Sequence, residues 1–292
     1  MHRLTLGNFE LTILSDGRYY ADGGAMFGVV PKPLWEQKIP ADSRNRIEVG
    51  LNSLLIRDGV RTVLVETGIG SKLPGKARHI YDHKPQLLGN LEAVGVAPEQ
   101  IDIVINTHLH FDHCGWNTHY HNGQAVPTFP RARYYIQQGE WEHAHHPNDR
   151  DYVSYIGDNY DPLAKSGQLE LIAGERKISA GISVRLYPGH TRDMQAVLIS
   201  SGGQTACYIS DLIPMSHHLD IAWVMGYDLF PTETMEQKKR FYAEAIPNRW
   251  LVVFTHDHAV PFAYLDRGAD GKYRASPAET RPAAVECELP RR

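Results

Sequence analysis

Apolar and polar residues alternate along the first 70 residues in the manner of β-strands. One apolar run, LTLGNFELTIL, covers residues 4–14, and a second, LNSLLIRDGVRTVLVETG, covers residues 51–68. The second run is interrupted at Asp58-Gly59, a dipeptide that is typical of a hairpin turn. The pattern therefore predicts a β-rich start in which residues 51–68 form a hairpin.

The segment between these two runs, residues 21–46, has no clear periodicity. It is rich in Gly and Pro, yet it contains the large apolar side chains of Met26, Phe27, Leu34 and Trp35. Because apolar side chains of this size need to be covered, we predict a packed arm or lid. A neighbouring copy of the chain would cover them equally well, so we also expect a homodimer in which this arm packs against the partner.

The middle of the chain alternates between short helical and strand patterns. Residues 86–94 suit a helix that is closed by Gly95, and residues 101–107 suit a buried strand. A strand at residues 131–136 and a helix at residues 137–146 follow. This order of elements indicates a mixed α/β protein.

The second half repeats the design of the first. One apolar run covers residues 182–188 and another covers residues 196–211. The latter is interrupted at Gly202-Gly203 and ends in an acid, as the earlier hairpin ends in Glu66. Two related halves of this kind predict a four-layer αββα sandwich with one site between the halves. We expect a single domain at residues 1–273 and a loose tail at residues 274–292.

One further helix is predicted close to the end, at residues 231–246. Pro231 lies at its start, and Met235, Tyr242 and Ala245 fall along one side, which should face the core. The strand RWLVVFT follows directly.

Composition narrows the class of protein. The chain has 292 residues, of which 42% are hydrophobic and 22% charged, as in ordinary globular proteins, and it has neither a membrane-length apolar run nor a signal peptide's apolar block. A net charge of -4 offers no basic surface for nucleic acid, so a nuclease is disfavoured. Three widely spaced cysteines suit a reducing compartment. We expect a cytoplasmic protein without a membrane partner.

The strongest chemical signal is the phrase THLHFDHCG, which follows the strand predicted at residues 101–107. It places His108, His110, Asp112 and His113 within six positions. Imidazole nitrogens and carboxylates are the ligands that Zn²⁺ and its neighbours prefer. The neighbouring Cys114 is expected to be a small buried residue rather than a ligand.

Three more polar residues follow apolar runs further along the chain. His190, Asp211 and His256 each come directly after a predicted strand, so all three can converge at one edge of the sheets. His258 competes with His256 for the last position. The remaining histidines at 143, 145 and 146 are expected to be surface residues, and Glu66 is expected either to hold the ligand loop or only to cap a turn.

On these motifs the chain resembles the metallo-β-lactamase-fold hydrolases, which carry the same His-x-His-x-Asp-His phrase and the later His, Asp and His. The resemblance covers residues 1–265 and implies two divalent metal ions, with zinc expected first and Mn, Fe or Co as alternatives. It implies that the first metal is held by His108, His110 and His190. The second is held by Asp112, His113 and His256, with Asp211 as the bridge.

Within this family, the length, the arm and the region from Asp211 to Phe241 most resemble the quorum-quenching lactonases, with methyl parathion hydrolase-type enzymes as relatives. Asp211 stands where class B β-lactamases place cysteine, and His110 stands where flavodiiron oxidoreductases place glutamate. The lactonases commonly place a substrate-contacting tyrosine three residues after the bridging Asp, where this chain has Pro214.

The expected reaction is therefore the opening of a lactone, an acyl-homoserine lactone or a related one, by a metal-bridging hydroxide. Asp211 and Asp112 are the expected catalytic residues, with Asp112 delivering the proton to the leaving group. The alternatives are a phosphotriester or aryl ester hydrolase and a metal-binding scaffold without turnover. The expected substrate contacts are Met26, Phe27, Trp116, His217, His218 and Tyr227.

Overall fold

The computed structural model describes residues 1–282, and its strands account for most of the core. The strands are β1 His2–Leu6, β2 Phe9–Asp22, β3 Arg46–Arg57, β4 Thr62–Val65, β5 Ile103–Ile105, β6 Thr118–His121, β7 Gln124–Pro127, β8 Arg133–Gln137, β9 Leu169–Ile172, β10 Arg176–Ser179, β11 Ile182–Leu186, β12 Gln195–Ser201, β13 Gln204–Tyr208, β14 Leu251–Val253, β15 Phe262–Arg267, β16 Tyr273–Pro277 and β17 Arg281–Pro282.

The helices are short, apart from the last. They are α1 Gly23–Phe27, α2 Lys32–Trp35, α3 Gly75–Tyr81, α4 Leu87–Ala93, α5 Phe111–Cys114, α6 Gln138–His145, α7 Asp161–Lys165 and α8 Pro231–Ala245. Single 3₁₀ turns lie at Pro98–Gln100, Gly115–Asn117, Tyr152–Ser154, Gly157–Asn159, Ser210–Leu212 and Ser216–His218. No helix among the described residues is both long enough and apolar enough to cross a membrane.

Two large sheets contain nearly all the strands. The first has the order β17-β1-β2-β3-β4-β5-β8-β9, and the second has the order β10-β11-β12-β13-β14-β15-β16. In the first sheet the β3–β4 hairpin is followed by β5, which pairs parallel to β4. In the second sheet the β12–β13 hairpin is followed by β14, which pairs parallel to β13. The repeated design seen in the sequence is thus present in the topology.

Three apolar layers hold the sheets and helices together. The central layer joins both sheets, with Leu54, Val65 and Ile105 from the first and Val197 and Tyr208 from the second. Outer layers cover the other faces, one containing residues of α4, α6 and α7 and the other residues of α8. The expected αββα sandwich is confirmed, and it directs the ends of β5, β13 and β14 toward one region.

The arm at residues 21–46 is more ordered than predicted, because it contains the end of β2 and the helices α1 and α2. Met26, Phe27 and Trp35 are buried against their own chain, whereas Leu34 is exposed. The premise that this arm lacks elements to bury its large side chains is therefore wrong for three of the four. A homodimer stays a prediction.

The predicted loose tail at residues 274–292 is wrong at its start. Strand β16 pairs antiparallel with β15, and β17 returns to the first sheet to pair with β1. An edge strand needs few apolar residues, so the polar composition of this region did not indicate a strand. The rest of the predicted tail, residues 283–292, lies outside the described residues.

The buried side of helix α8 differs in part from the predicted one. Tyr242 and Ala245 are buried as expected, together with Phe241, but Met235 is only partly buried. The fully buried long side chain on this face is Lys238, whose ammonium donates hydrogen bonds to the carbonyl oxygens of His218 and Asp220, both at 2.6 Å. Helical periodicity counts a lysine as polar, so it could not predict this burial.

Candidate metal centre

The loop after β5 carries the first ligand candidates, and two buried glutamates hold it. The backbone N–H of Thr107 donates to Glu66 Oε1 at 2.7 Å, and the N–H of Leu109 donates to Glu140 Oε1 at 2.9 Å. Glu66 therefore holds the loop, which is one of the two roles that the sequence left open for it. A further bond runs from Asn106 Nδ2 to the carbonyl of His113 at 3.2 Å, so the loop is fixed along its length.

The second sheet supplies three more side chains at the ends of its strands. His190 lies after β11, Asp211 lies in the 3₁₀ turn after β13, and His256 lies after β14. The Nδ1 of His190 lies 3.0 Å from Asp228 Oδ1, and the Nδ1 of His256 lies 2.8 Å from the carbonyl oxygen of Gly50. With Nδ1–H donating in each case, the Nε2 lone pair of both rings is free to face the cluster.

These side chains converge, and Asp211 lies between two groups of imidazoles. Its Oδ2 is 3.4 Å from His190 Nε2, while its Oδ1 is 3.2 Å from His256 Nε2 and 3.6 Å from His113 Nε2. On the His190 side, Nε2 lies 3.0 Å from His110 Nδ1. One carboxylate with an oxygen toward each group has the placement that a bridging ligand requires.

Asp112 completes the second group, which also contains His113 and His256. Asp112 Oδ1 lies 3.7 Å from His113 Nε2, and Asp112 Oδ2 lies 3.7 Å from His256 Nε2. Within the described residues, three sets have donor atoms that all lie within 4.8 Å of one another: His108, His110 and His190; His108, His113 and Asp211; and Asp112, His113 and His256. The structure therefore brings all seven predicted ligand candidates to one place.

Several donor atoms in this cluster are buried without a hydrogen-bond partner. They include His108 Nε2, His113 Nε2 and Asp211 Oδ1. Buried polar atoms are nearly always paired, so a group of unpaired donor atoms that face one another fits a bound cation. Nitrogen and oxygen donors at this spacing fit divalent cations of the zinc type.

The protonation states of the side chains in the cluster also favour the binding of a metal ion. Burial, and then the neighbouring imidazoles, lowers the pKa of His108 and His110 well below the usual histidine value, so both rings stay neutral. Burial alone would raise the pKa of Asp211, but the charges of His113, His256 and His190 outweigh it and hold that pKa well below its usual value. Neutral imidazoles and an ionised carboxylate are the forms that bind metal.

The pKa of His113 is shifted in the opposite direction from those of His108 and His110. Burial opposes its charge, yet Asp211, then Asp112 and Glu66, raise its pKa well above the usual value. The negative potential at this ring attracts a cation, and a divalent metal would compete with the proton for it.

The cluster forms the floor of a cavity of about 680 Å³, which we call the main cavity. His110, Asp112, His190, Asp211 and His256 contribute to its floor. The walls come from three segments: residues 73–81, residues 150–156 and residues 225–227. Apart from Met26, the predicted arm does not roof this cavity.

Two of the six predicted substrate contacts, Met26 and Tyr227, line the main cavity. Phe27 does not, because its ring is fully buried and stacked between Trp35, at 5.3 Å, and His218, at 4.6 Å. His218 Nε2 lies 2.8 Å from the carbonyl oxygen of Met26, which holds that ring in the core.

The other two expected contacts lie elsewhere. Trp116 packs into an outer apolar layer, and its indole N–H donates to Asp16 Oδ1 at 2.9 Å. His217 is half-buried and does not belong to the lining among the described residues. Large aromatic residues near a ligand motif are more often held by the core, and sequence alone does not separate the two cases.

Among the described residues, the remaining histidines and the cysteines Cys114 and Cys207 belong to none of the possible metal groups. His258 is partly exposed beside Glu48, so the structure brings His256 and not its rival to the site. His143 and His145 pair with Asp151 and Asp161, and among the described residues neither joins a possible metal group. Cys114 is fully buried, as expected.

Sequence reasoning missed several residues that surround the site. Tyr19 donates to Asp112 Oδ2 at 3.0 Å, and Asp228 holds His190. Glu140 accepts from Leu109 and also from the hydroxyls of Thr191, at 2.7 Å, and Tyr155, at 3.1 Å. No motif spacing marks these residues, since they come from separate elements. The helical phrase QQGEWEHAHH contains two acids, Glu140 and Glu142, and the sequence does not indicate which of them is buried.

This chain is similar in sequence to known N-acyl homoserine lactonases. N-acyl homoserine lactonases are 25% identical over 151 residues in a Bacillus species, covering 48% of this chain and 54% of the relative, and 22% identical over 209 residues in Bacillus thuringiensis, covering 67% and 76%. The chain thus spans about half the length of the first of these relatives.

Two solved structures align along nearly the whole chain. A probable metal-dependent hydrolase from Staphylococcus aureus has a TM-score of 0.84 at 30% identity, covering 94% of this chain and all of that one. AidC, a dizinc quorum-quenching lactonase in complex with its product, has a TM-score of 0.77 at 20% identity, covering 95% and 97%. The second likeness shows the fold alone.

The family model for the metallo-beta-lactamase superfamily matches residues 47–256, a span that runs from β3 to the ligand candidate His256. With the sandwich and the seven converging side chains, this match shows that the chain belongs to the metallo-beta-lactamase superfamily.

Proposed function

We propose that this protein is a binuclear metal-dependent hydrolase that opens lactone rings. The observation that carries the proposal is the position of Asp211, whose two oxygens face two imidazole groups at the floor of an apolar cavity. The curated relatives named N-acyl homoserine lactonases support the lactone as substrate.

The donor set divides between two cations. His108, His110 and His190 would hold the first, Asp112, His113 and His256 the second, and Asp211 both. Zinc is the first candidate for both positions. When bound, such ions supply a hydroxide nucleophile at neutral pH and polarise the ester carbonyl.

The chain's own residues would then handle the substrate and its proton. Asp112 lines the main cavity and is partly accessible, so its carboxylate can take up the proton released by the attacking water and pass it to the oxygen that leaves the opened ring. Tyr227 lines the same cavity, and its hydroxyl has no partner among the described residues. This hydroxyl is our candidate for the donor that Pro214 cannot provide.

The cavity wall favours a substrate with an apolar arm. Ile80, Tyr152, Val153 and Tyr227 are large apolar or aromatic residues that line the main cavity and are still exposed. Exposed apolar residues gathered at one opening mark a binding surface. An acyl chain laid along them would remove their surface from water, at about 0.8 kcal/mol for each buried CH₂ group.

The test compares three kinds of substrate on one metal-loaded sample. We expect kcat/KM to rise with acyl length in a series of acyl-homoserine lactones. It should exceed the value for a paraoxon-type phosphotriester and for an aryl ester by at least tenfold. A triester or aryl ester that wins by tenfold would assign the protein to the alternative class. Tyr227→Phe should lower kcat for lactones several-fold, whereas Tyr120→Phe, an exposed tyrosine outside the main cavity, should not.

A further inference from the structure

The hydroxyl of Tyr19 contacts a ligand candidate directly. It donates to Asp112 Oδ2 at 3.0 Å, and it is the hydrogen-bond donor to Asp112 found among the described residues. Tyr19 is almost fully buried, with its ring edge-on to His256 at 6.0 Å and to Tyr81 at 5.8 Å. The side chain is therefore held by packing on two sides, and its hydroxyl is aimed at one carboxylate oxygen.

An irregularity in β2 places this side chain. The pairing of β2 with β3 shifts register between Ser15 and Arg18, and Gly17 in the shift has a φ of +94°. A bulge of this kind changes the face to which the following side chains point, and bulges are common beside functional sites. Tyr19 comes directly after the shift and lines the main cavity, whereas Tyr20 lines a separate polar cavity.

The five tyrosine hydroxyls of the main cavity divide into two kinds. Those of Tyr19 and Tyr155 are committed, to Asp112 and to Glu140 respectively. Those of Tyr81, Tyr152 and Tyr227 have no partner among the described residues and are available to a substrate. Tyr19 thus differs from the tyrosines that can bind substrate, because its hydroxyl already has an acceptor.

We propose that Tyr19 is a positioning residue that fixes the Asp112 carboxylate for the second metal position. The proposal rests on the function proposed above only in taking Asp112 as a ligand. A carboxylate bound through one oxygen cannot rotate freely, so its other lone pairs stay directed at the His113 and His256 side of the cluster. Partners that orient a ligand in this way commonly contribute about 10- to 100-fold to metal affinity or activity.

The test is Tyr19→Phe, which removes one oxygen and keeps the ring, with Tyr20→Phe as the matched control on the same strand. Apoprotein is titrated with Zn²⁺ and with Co²⁺, whose visible spectrum reports the coordination geometry. We expect Tyr19→Phe to weaken the second equivalent about 10-fold or more and to change its Co²⁺ spectrum, with the first equivalent within threefold. Tyr20→Phe should match wild type in both readouts.

A second comparison separates positioning from general support of the fold. In an Asp112→Ala background, adding Tyr19→Phe should weaken the second equivalent by less than threefold, because the group through which Tyr19 acts is already gone. A full further loss in that background would overturn the proposal. Wild-type affinity for both equivalents in Tyr19→Phe would also overturn it.

The outcome is independent of the substrate assignment. If the protein fails to open lactones but Tyr19→Phe still weakens the second metal selectively, the proposed function falls and the positioning role stands. If lactones are opened and Tyr19→Phe binds both metals as wild type does, the reverse holds. In the supported case, kcat for lactone opening should fall at least tenfold in Tyr19→Phe while KM stays within threefold.

Discussion

Glu140 joins three parts of the site wall that are distant in sequence. Its Oε1 accepts the N–H of Leu109, which lies between two ligand candidates, and the hydroxyl of Tyr155, while its Oε2 accepts the hydroxyl of Thr191. The side chain is fully buried, so water cannot replace it. Removing the carboxylate should therefore disturb both ligand loops at once.

Two substitutions of Glu140 test this role, and we expect them to differ in their effect on the free energy of unfolding. Glu140→Ala leaves up to three buried donors unpaired at about 1–3 kcal/mol each, so we expect a loss of about 3–6 kcal/mol from the free energy of unfolding. Glu140→Gln can keep all three bonds. Its oxygen accepts from Leu109 and Tyr155, and its amide donates to the Thr191 hydroxyl, which can reverse its role. We expect a change of about 1 kcal/mol or less.

The assay is urea unfolding followed by circular dichroism, with Zn²⁺ affinity measured in parallel. A loss of about 3 kcal/mol is a large part of the roughly 5–15 kcal/mol that stabilises a typical domain, so the two variants should be well separated. Metal affinity should fall about 10-fold or more in Glu140→Ala alone. If both variants lose the same amount, or if Glu140→Ala stays within about 1 kcal/mol of wild type, the role assigned to Glu140 is refuted.

The pH dependence of stability gives a second test of Glu140, in which wild type is compared with Glu140→Gln. Burial raises the pKa of Glu140 above its ordinary value of 4.5, even though Thr191 and Leu109 lower it. The folded chain therefore keeps this proton at pH values where the unfolded chain has lost it. As pH rises from 4.5 through the folded pKa, wild type loses stability relative to Glu140→Gln, and the difference then levels off. A difference that shrinks over this range would mean that folding lowers the pKa of Glu140 instead of raising it.

Three further predictions concern other parts of the molecule. Lys238→Met leaves buried carbonyls without a donor, so the free energy of unfolding in urea should fall by about 2–4 kcal/mol. Asp211→Ala should lose nearly all activity and at least one metal equivalent by elemental analysis, whereas His146→Ala should stay within a few-fold of wild-type turnover. Gly115→Ala should prevent normal folding, seen as loss of soluble protein, because a Cβ there would overlap the Ile69 carbonyl group.

The ligand candidates could be predicted because their signal is local. His108, His110, Asp112 and His113 share one loop, and His190 and His256 each follow an apolar run, so spacing and strand ends were enough. The alternation of residues 51–68 likewise predicted the β3–β4 hairpin, which the structure has.

The surroundings of the site could not be predicted in this way, because they depend on contacts between distant elements. Tyr19 reaches Asp112 only because β2 shifts its register, and Glu140 reaches Thr191 only once α6 packs beside the loop after β11. Phe27 and His218 were wrongly expected at the substrate, since aromatic character alone does not distinguish a cavity wall from a core stack.

The division of the ligand candidates between two sheets also has a consequence for how the chain matures. A partly synthesised chain that ends before the second sheet has His110 and its neighbours but lacks His190, which lies 80 residues further on. Such a chain holds only part of either donor set, so its affinity for a cation is low. Strong retention of metal would then mark chains in which both halves have docked, and added Zn²⁺ would stabilise these finished molecules selectively during refolding.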